Sequence, residues 1–88
     1  MTFLAPMVAA DRLARLQQVF TTSLELAPDV DHSGLAYRAT PQWDSVAHLQ
    51  LVIALEAEFD VMLETDDVLS LSTFGDATTI LSRHGIAF

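Results

Sequence analysis

The sequence predicts an all-α fold: a small four-helix bundle of three main helices and one short one, with a long loop between helices 1 and 2. Three observations carry this. Apolar residues recur at spacings of three and four over several stretches, the signature of an amphipathic helix. Sustained apolar–polar alternation is missing, and runs such as Val61-Met62-Leu63 are too brief to compete as strands. Helix-start residues and turn formers punctuate the chain between those stretches.

Residues 1–8 read as a tail or a short extra turn. From Asp11 the pattern is helical: Leu13, Leu16, Val19 or Phe20, and Leu24 form one face, Asp11 suits the positive end of the dipole, and Pro28 is expected to end the helix. Residues 27–43 hold Pro28, Asp29, Asp31, Ser33, Gly34 and Pro41 and show no sustained period. A connection this long is functional or wrapped over the core, with Leu35 and Tyr37 as its anchors. Asp44 and Ser45 open the second helix, because their oxygens accept bonds from free backbone N–H groups, and it runs to about Glu58 or Phe59. Thr65-Asp66-Asp67 starts a short third helix to about Leu69. The last helix runs from Ser72 or Thr73 to Arg83, with Phe74, Ala77, Ile80 and Leu81 as its apolar stripe and Gly85 as its stop.

Composition limits the function classes. Eighty-eight residues, 51% of them hydrophobic, make one domain, 1–88, rather than a disordered chain. Typical per-residue values give such a domain about 4–13 kcal/mol of net stability. Twelve acidic residues stand against four basic ones, all Arg, for a net charge of −8. Nucleic acid and anionic membrane would repel such a chain, so a basic protein surface is the natural partner. Cysteine is absent, which excludes a disulfide framework, a thiolate metal site and a catalytic thiol belonging to the chain. No basic n-region and no 18-residue apolar run is present, so neither a signal peptide nor a membrane span is expected; the cytoplasm is the expected compartment and a monomer the expected state.

The second helix carries two apolar faces. At 100° per residue, Leu51, Leu55 and Phe59 span an arc of about 80°, a core stripe. Val46, Leu49 and Ile53 span another of about 60°, on roughly the opposite side. Either the fourth helix or the long loop covers this second stripe, or it faces a partner, with Gln50 and Glu56 as its polar edges. Between Ala39 and Ser82 there is no Lys or Arg, but there are eight acids: Asp44, Glu56, Glu58, Asp60, Glu64, Asp66, Asp67 and Asp76. They keep the surface soluble, steer the chain toward basic partners, or do both.

Trp43-Asp44-Ser45-Val46, followed by Leu49-Gln50-Leu51-Val52-Ile53-Ala54-Leu55-Glu56-Ala57-Glu58-Phe59, resembles the acyl carrier protein family. In that family an Asp-Ser-Leu motif opens the second helix, and the helix closes on Leu-Glu-x-Glu-Phe, as Leu55 to Phe59 does here. The resemblance extends from about Leu13 to Leu81. It implies that Ser45 carries a 4′-phosphopantetheine arm, transferred from coenzyme A by a phosphopantetheinyl transferase with Mg²⁺ bound in that complex. It implies that Asp44 supports the loading. Val46, Leu49, Ile53 and Glu56 then map to the surface gripped by acyl-loading and acyl-accepting enzymes, and Leu51, Leu55 and Phe59 map to the core. The resemblance further implies that the arm supplies the thiol that the chain lacks and that an acyl chain can fold back between the second and third helices. The chain itself would not be an enzyme. It departs from the family pattern at Val46, where Leu, Ile or Met is usual, at His48 and Gln50, and at Trp43. The Trp-Asp-Ser form resembles stand-alone carriers of specialised pathways.

Other readings compete for the same residues. Ser45 as a plain helix cap would make the chain an unmodified interaction module. An aminoacyl or peptidyl carrier would use the same serine, but such domains are commonly less acidic and carry Gly-Gly-x-Ser-type motifs. Ser45 as an enzyme's own nucleophile needs an oriented base, and no Gly-x-Ser-x-Gly elbow surrounds it. His48 reads as a surface or partner-facing imidazole, and His32 and His84 as loop and helix-end residues without metal-ligand spacing. Asp29-x-Asp31 lacks the Gly and Glu of a calcium loop. Asp66-Asp67 reads as a helix start. Trp43 packs against the long loop or touches the arm or a partner.

Overall fold

The computed structural model describes residues 8–88, with side chains described from residue 11 onward. Apart from Val8, the segment expected to form a tail or extra turn therefore lies outside the described residues. Four helices follow in order: α1 (Val8–Ser23), α2 (Ser45–Phe59), α3 (Thr65–Ser70) and α4 (Phe74–Arg83), with a 3₁₀ turn at His32–Gly34 in the long loop. The all-α bundle with one short helix is the architecture that the sequence patterns predict. Among the described residues no helix is long and apolar enough to cross a membrane.

α1 begins three residues before Asp11, where Ala9 and Ala10 favour helix. Its packed stripe is Leu16, Val19 and Phe20, continued by Leu24 in the turn beyond. Leu13, expected on that face, stays 39% exposed because the packed stripe starts one turn later. Nor is the helix stopped by Pro28. Glu25 turns left-handed (φ 54), Glu25 N–H donates to Thr22 O and Leu26 N–H donates to Thr21 O. This is the paired closure that gathers up the last carbonyls of a helix. α2 also ends on a left-handed residue, Asp60 (φ 53), here with both Asp60 N–H and Val61 N–H on Glu56 O. α4 repeats the paired closure of α1 at Gly85 (φ 92), with Ile86 N–H on Leu81 O.

The starts of α2 and α4 are capped by side chains. Asp44 Oδ1 accepts from Ala47 N at 2.9 Å. Thr73 Oγ1 accepts from Asp76 N, while Asp76 Oδ2 accepts from Thr73 N, a reciprocal box. The core fills with Leu16, Phe20, Leu24, Trp43, Leu51, Leu55, Leu71 and Leu81, all nearly inaccessible to water. Phe20 meets the edges of Trp43 and Phe74 at 5.5 and 4.9 Å between ring centres, a favoured aromatic geometry.

The long loop wraps over this core. Leu35 is buried and Tyr37 packs against the core. Tyr37 N–H donates to Ser72 O at 2.8 Å, and Ala36 bridges Thr73, so the loop is tied to the entry of α4. Ala36 N, Thr40 Oγ1 and the Arg38 N–Trp43 O bond then fold residues 36–43 into a tight reversal that delivers the chain to α2.

Candidate functional site

The site is the first turn of α2. Asp44 is the N-cap, in extended backbone, and Ser45 is the first helical residue. This one-residue register separates two roles that the Asp-Ser pair leaves mixed. Asp44 satisfies an orphan N–H at the helix start, so Ser45 is not the cap. Ser45 is exposed, and its hydroxyl has no hydrogen-bond partner among the described residues. The amides of Ser45 and Val46, too, have no acceptor among those residues, and they point from the positive end of a 15-residue helix. A phosphodiester on Ser45 Oγ fits here, because free N–H groups and the dipole both favour an anion.

Two open depressions flank this turn. One, of about 290 Å³, is lined by Arg38, Thr40, Pro41, Trp43, Asp44 and Ser45. Arg38 sits there in left-handed backbone (φ 68), the basic residue closest in sequence to Ser45. The other, of about 350 Å³, lies on the Val46–Gln50 side and reaches Leu24 and Gln42. A third, of about 380 Å³, runs between α1 and α2, floored by Val19, Ala54 and Ala57.

The second stripe of α2 is uncovered. Val46, Leu49 and Ile53 are 64%, 61% and 66% exposed, so neither the loop nor α4 lies over them. Leu51, Val52, Leu55 and Phe59 are buried on the opposite side. Met62 and Leu69, at 78% and 75%, add exposed apolar surface that the sequence periodicity did not single out. Both fall in short segments, where too few residues repeat to define a face.

Glu56 is half-buried, and its Oε2 accepts from Leu63 N at 2.9 Å. It fastens the turn after α2 as well as edging the stripe. Most of the acidic run is similarly engaged. Glu58 binds Arg15 Nε at 2.6 Å, and Asp76 caps α4. Asp67 accepts from Glu64 N, Arg83 and His84, tying α3 to the end of α4. The His84 hydrogen bond chiefly, then the Glu64 amide, holds the Asp67 carboxyl below the usual carboxylate range, although burial opposes the shift. Asp67 thus does more than open a helix.

His48 is not a surface imidazole. It is buried, accepts from Trp43 Nε1 through Nδ1 at 3.0 Å, and lies 3.0 Å from Val68 O through Nε2. The signal for this is in the pattern: at 100° per residue His48 falls within the arc of the Leu51, Leu55 and Phe59 stripe, about one turn earlier. Trp43 is fully buried against Phe20 and Tyr37. With both nitrogens engaged, His48 is in no position to activate Ser45. Among the described residues no three His, Asp or Glu side chains converge on a point that would hold a metal. No family model, curated protein or solved structure matches the chain.

Proposed function

We propose that this chain is an acyl carrier protein, in which Ser45 bears a 4′-phosphopantetheine arm and the domain presents acyl thioesters to enzymes of a fatty-acid, polyketide or specialised biosynthetic pathway. One observation carries this: an exposed serine hydroxyl left free at a helix N-terminus because its neighbour does the capping. When bound, the arm supplies the thiol that forms the thioester. The residues around it do the rest. The Ser45 and Val46 amides meet the phosphodiester charge, and the open sides of the turn give a transferase access. Asp44 Oδ2 has no partner among the described residues, which leaves one carboxylate oxygen for a metal held by the transferase.

Val46, Leu49 and Ile53, edged by Glu56, form the face on which partners dock. The eight acids between residues 39 and 82, with no base among them, draw in partners with basic surfaces. The engagement of His48 with Trp43 and Val68 supports carriage over hydrolysis, because Ser45 lacks the oriented base that a nucleophile needs.

The test is intact-mass spectrometry after incubation with coenzyme A, Mg²⁺ and a broad-specificity phosphopantetheinyl transferase. The chain is expected to gain one phosphopantetheinyl group, and Ser45→Ala to gain none. No gain, with the same transferase loading a control carrier, would leave an unmodified interaction module. Which acyl or aminoacyl donors then load the arm separates acyl from aminoacyl or peptidyl carriage.

A further inference from the structure

The contacts of His48 fix where its proton is. Trp43 Nε1 is a donor only, so the His48 Nδ1 that faces it at 3.0 Å must present a lone pair. The Val68 carbonyl is an acceptor only, so the His48 Nε2 that faces it at 3.0 Å must carry the hydrogen. The ring is therefore neutral and held as a single tautomer. It packs on Tyr37, with ring centres 4.5 Å apart, and lies beside Trp43, at 6.0 Å and 24° between planes. A second proton would set two N–H groups face to face across the Trp43 contact.

The titratable groups around the ring offer that proton no help. Tyr37, from the long loop, is the titratable side chain packed on the ring. On α3, Asp67 beside Val68 turns to Glu64 N, Arg83 and His84. On α2, Asp44 turns to Ala47 N, and Glu56 turns to Leu63 N.

We propose that His48 is a proton-operated clamp. Neutral, it ties the loop residue Trp43 and, through Val68, helix α3 to the first half of α2, three residues from Ser45. Protonated at Nδ1, it can no longer accept from Trp43, although Nε2–H still donates to Val68 O; the loop end at Trp43 is released, and the segment that presents Ser45 loosens. This depends on the fold alone and not on any modification of Ser45.

Trp43 is the single tryptophan, so its fluorescence reports on the clamp directly. The experiment follows the emission maximum and far-UV circular dichroism from about pH 8 to about pH 5, the range in which histidines exchange charge. It compares the wild-type chain with His48→Gln, His32→Gln and His84→Gln. Glutamine at position 48 retains an acceptor for Trp43 and a donor for Val68 but takes up no proton. The wild type and the two control variants are expected to shift to the red on acidification, and His48→Gln to stay put. A wild-type maximum that does not move, or a shift that survives in His48→Gln, overturns the proposal. So does a fall in intensity without a shift, which would mean that the imidazolium is accommodated in place. If His48→Gln does not fold, ring ¹⁵N spectra of the wild type decide. A ring that gains its second proton while the Trp43 indole resonance stays fixed refutes the clamp.

Discussion

Ile53 and Leu55 lie two residues apart on α2, yet the structure assigns them opposite fates, so a pair of substitutions separates docking face from core. Leu55 is 1% exposed. Truncation of a buried leucine to alanine costs about 2–5 kcal/mol, against a total of about 4–13 kcal/mol for a domain of this length. Ile53 is 66% exposed. Full burial of an isoleucine contributes about 1.5–3 kcal/mol, so the third withdrawn here puts about 0.5–1 kcal/mol at stake. Glutamate forms helix at least as well as isoleucine, and its repulsion by Glu56 at i+3 adds only about 0.2–0.5 kcal/mol. Ile53→Glu is therefore expected to cost about 1 kcal/mol or slightly more. For a domain of this size each kcal/mol moves the midpoint by about 4–8 °C, so Ile53→Glu shifts it by roughly 10 °C at most while Leu55→Ala lowers it by about 8–40 °C. Thermal unfolding followed by far-UV circular dichroism measures both. Loading by the transferase, or binding to any partner enzyme, is expected to weaken in Ile53→Glu. An Ile53→Glu chain that loses as much stability as Leu55→Ala would show that the stripe is covered in solution, and the docking role of Val46, Leu49 and Ile53 would fall with it.

Two further predictions follow from the carboxylates. Asp44→Ala removes the α2 cap and is expected to cost about 1 kcal/mol by thermal unfolding. Asp44→Asn keeps a capping oxygen and is expected to retain stability while losing transferase loading, and full loading in Asp44→Asn would reduce Asp44 to a cap. Asp67 has its carboxyl held below the usual range by His84 first and by the Glu64 amide next. Its contribution is thus complete above about pH 4, where unfolded carboxylates are ionised, and is lost as pH falls through the lower folded value. Asp67→Asn is expected to flatten the acid limb of the stability profile below about pH 4, read from denaturant unfolding at stepped pH; an unchanged limb would mean that the α3–α4 tie does not contribute.

The helices are legible in the sequence because each buries a stripe with the period of 3.6, and the starts are legible because Asp44 and Thr73 are chemically suited to cap. The ends are less so. Gly85 marks one left-handed closure openly, whereas Glu25 and Asp60 adopt the same backbone without glycine and leave only Pro28 as a visible stop, three residues late. His48 is misread from its polarity alone. Its angular position groups it with Leu51 and Leu55, but its burial requires Trp43 and Val68 as partners, and these come from a loop and a helix whose approach no local pattern encodes. The exposure of Val46, Leu49 and Ile53 is a tertiary fact of the same kind, because periodicity defines the stripe but not what lies over it.

The candidate site depends on helix register more than on residue identity. An Asp-Ser pair offers two side chains able to cap, and only one is required. Had α2 begun one residue later, Ser45 would occupy the N-cap, its oxygen would turn inward to a backbone N–H, and the hydroxyl would be committed to the fold. What sets the register is the clamp below: Trp43 is buried and bonded to His48, and Arg38 N–H holds the Trp43 carbonyl. With Trp43 anchored in the core, Asp44 falls at the turn into the helix and Ser45 emerges on the open side. The buried aromatic pair and the exposed hydroxyl are thus two ends of one arrangement, which is why a change confined to His48 is expected to be felt at Ser45.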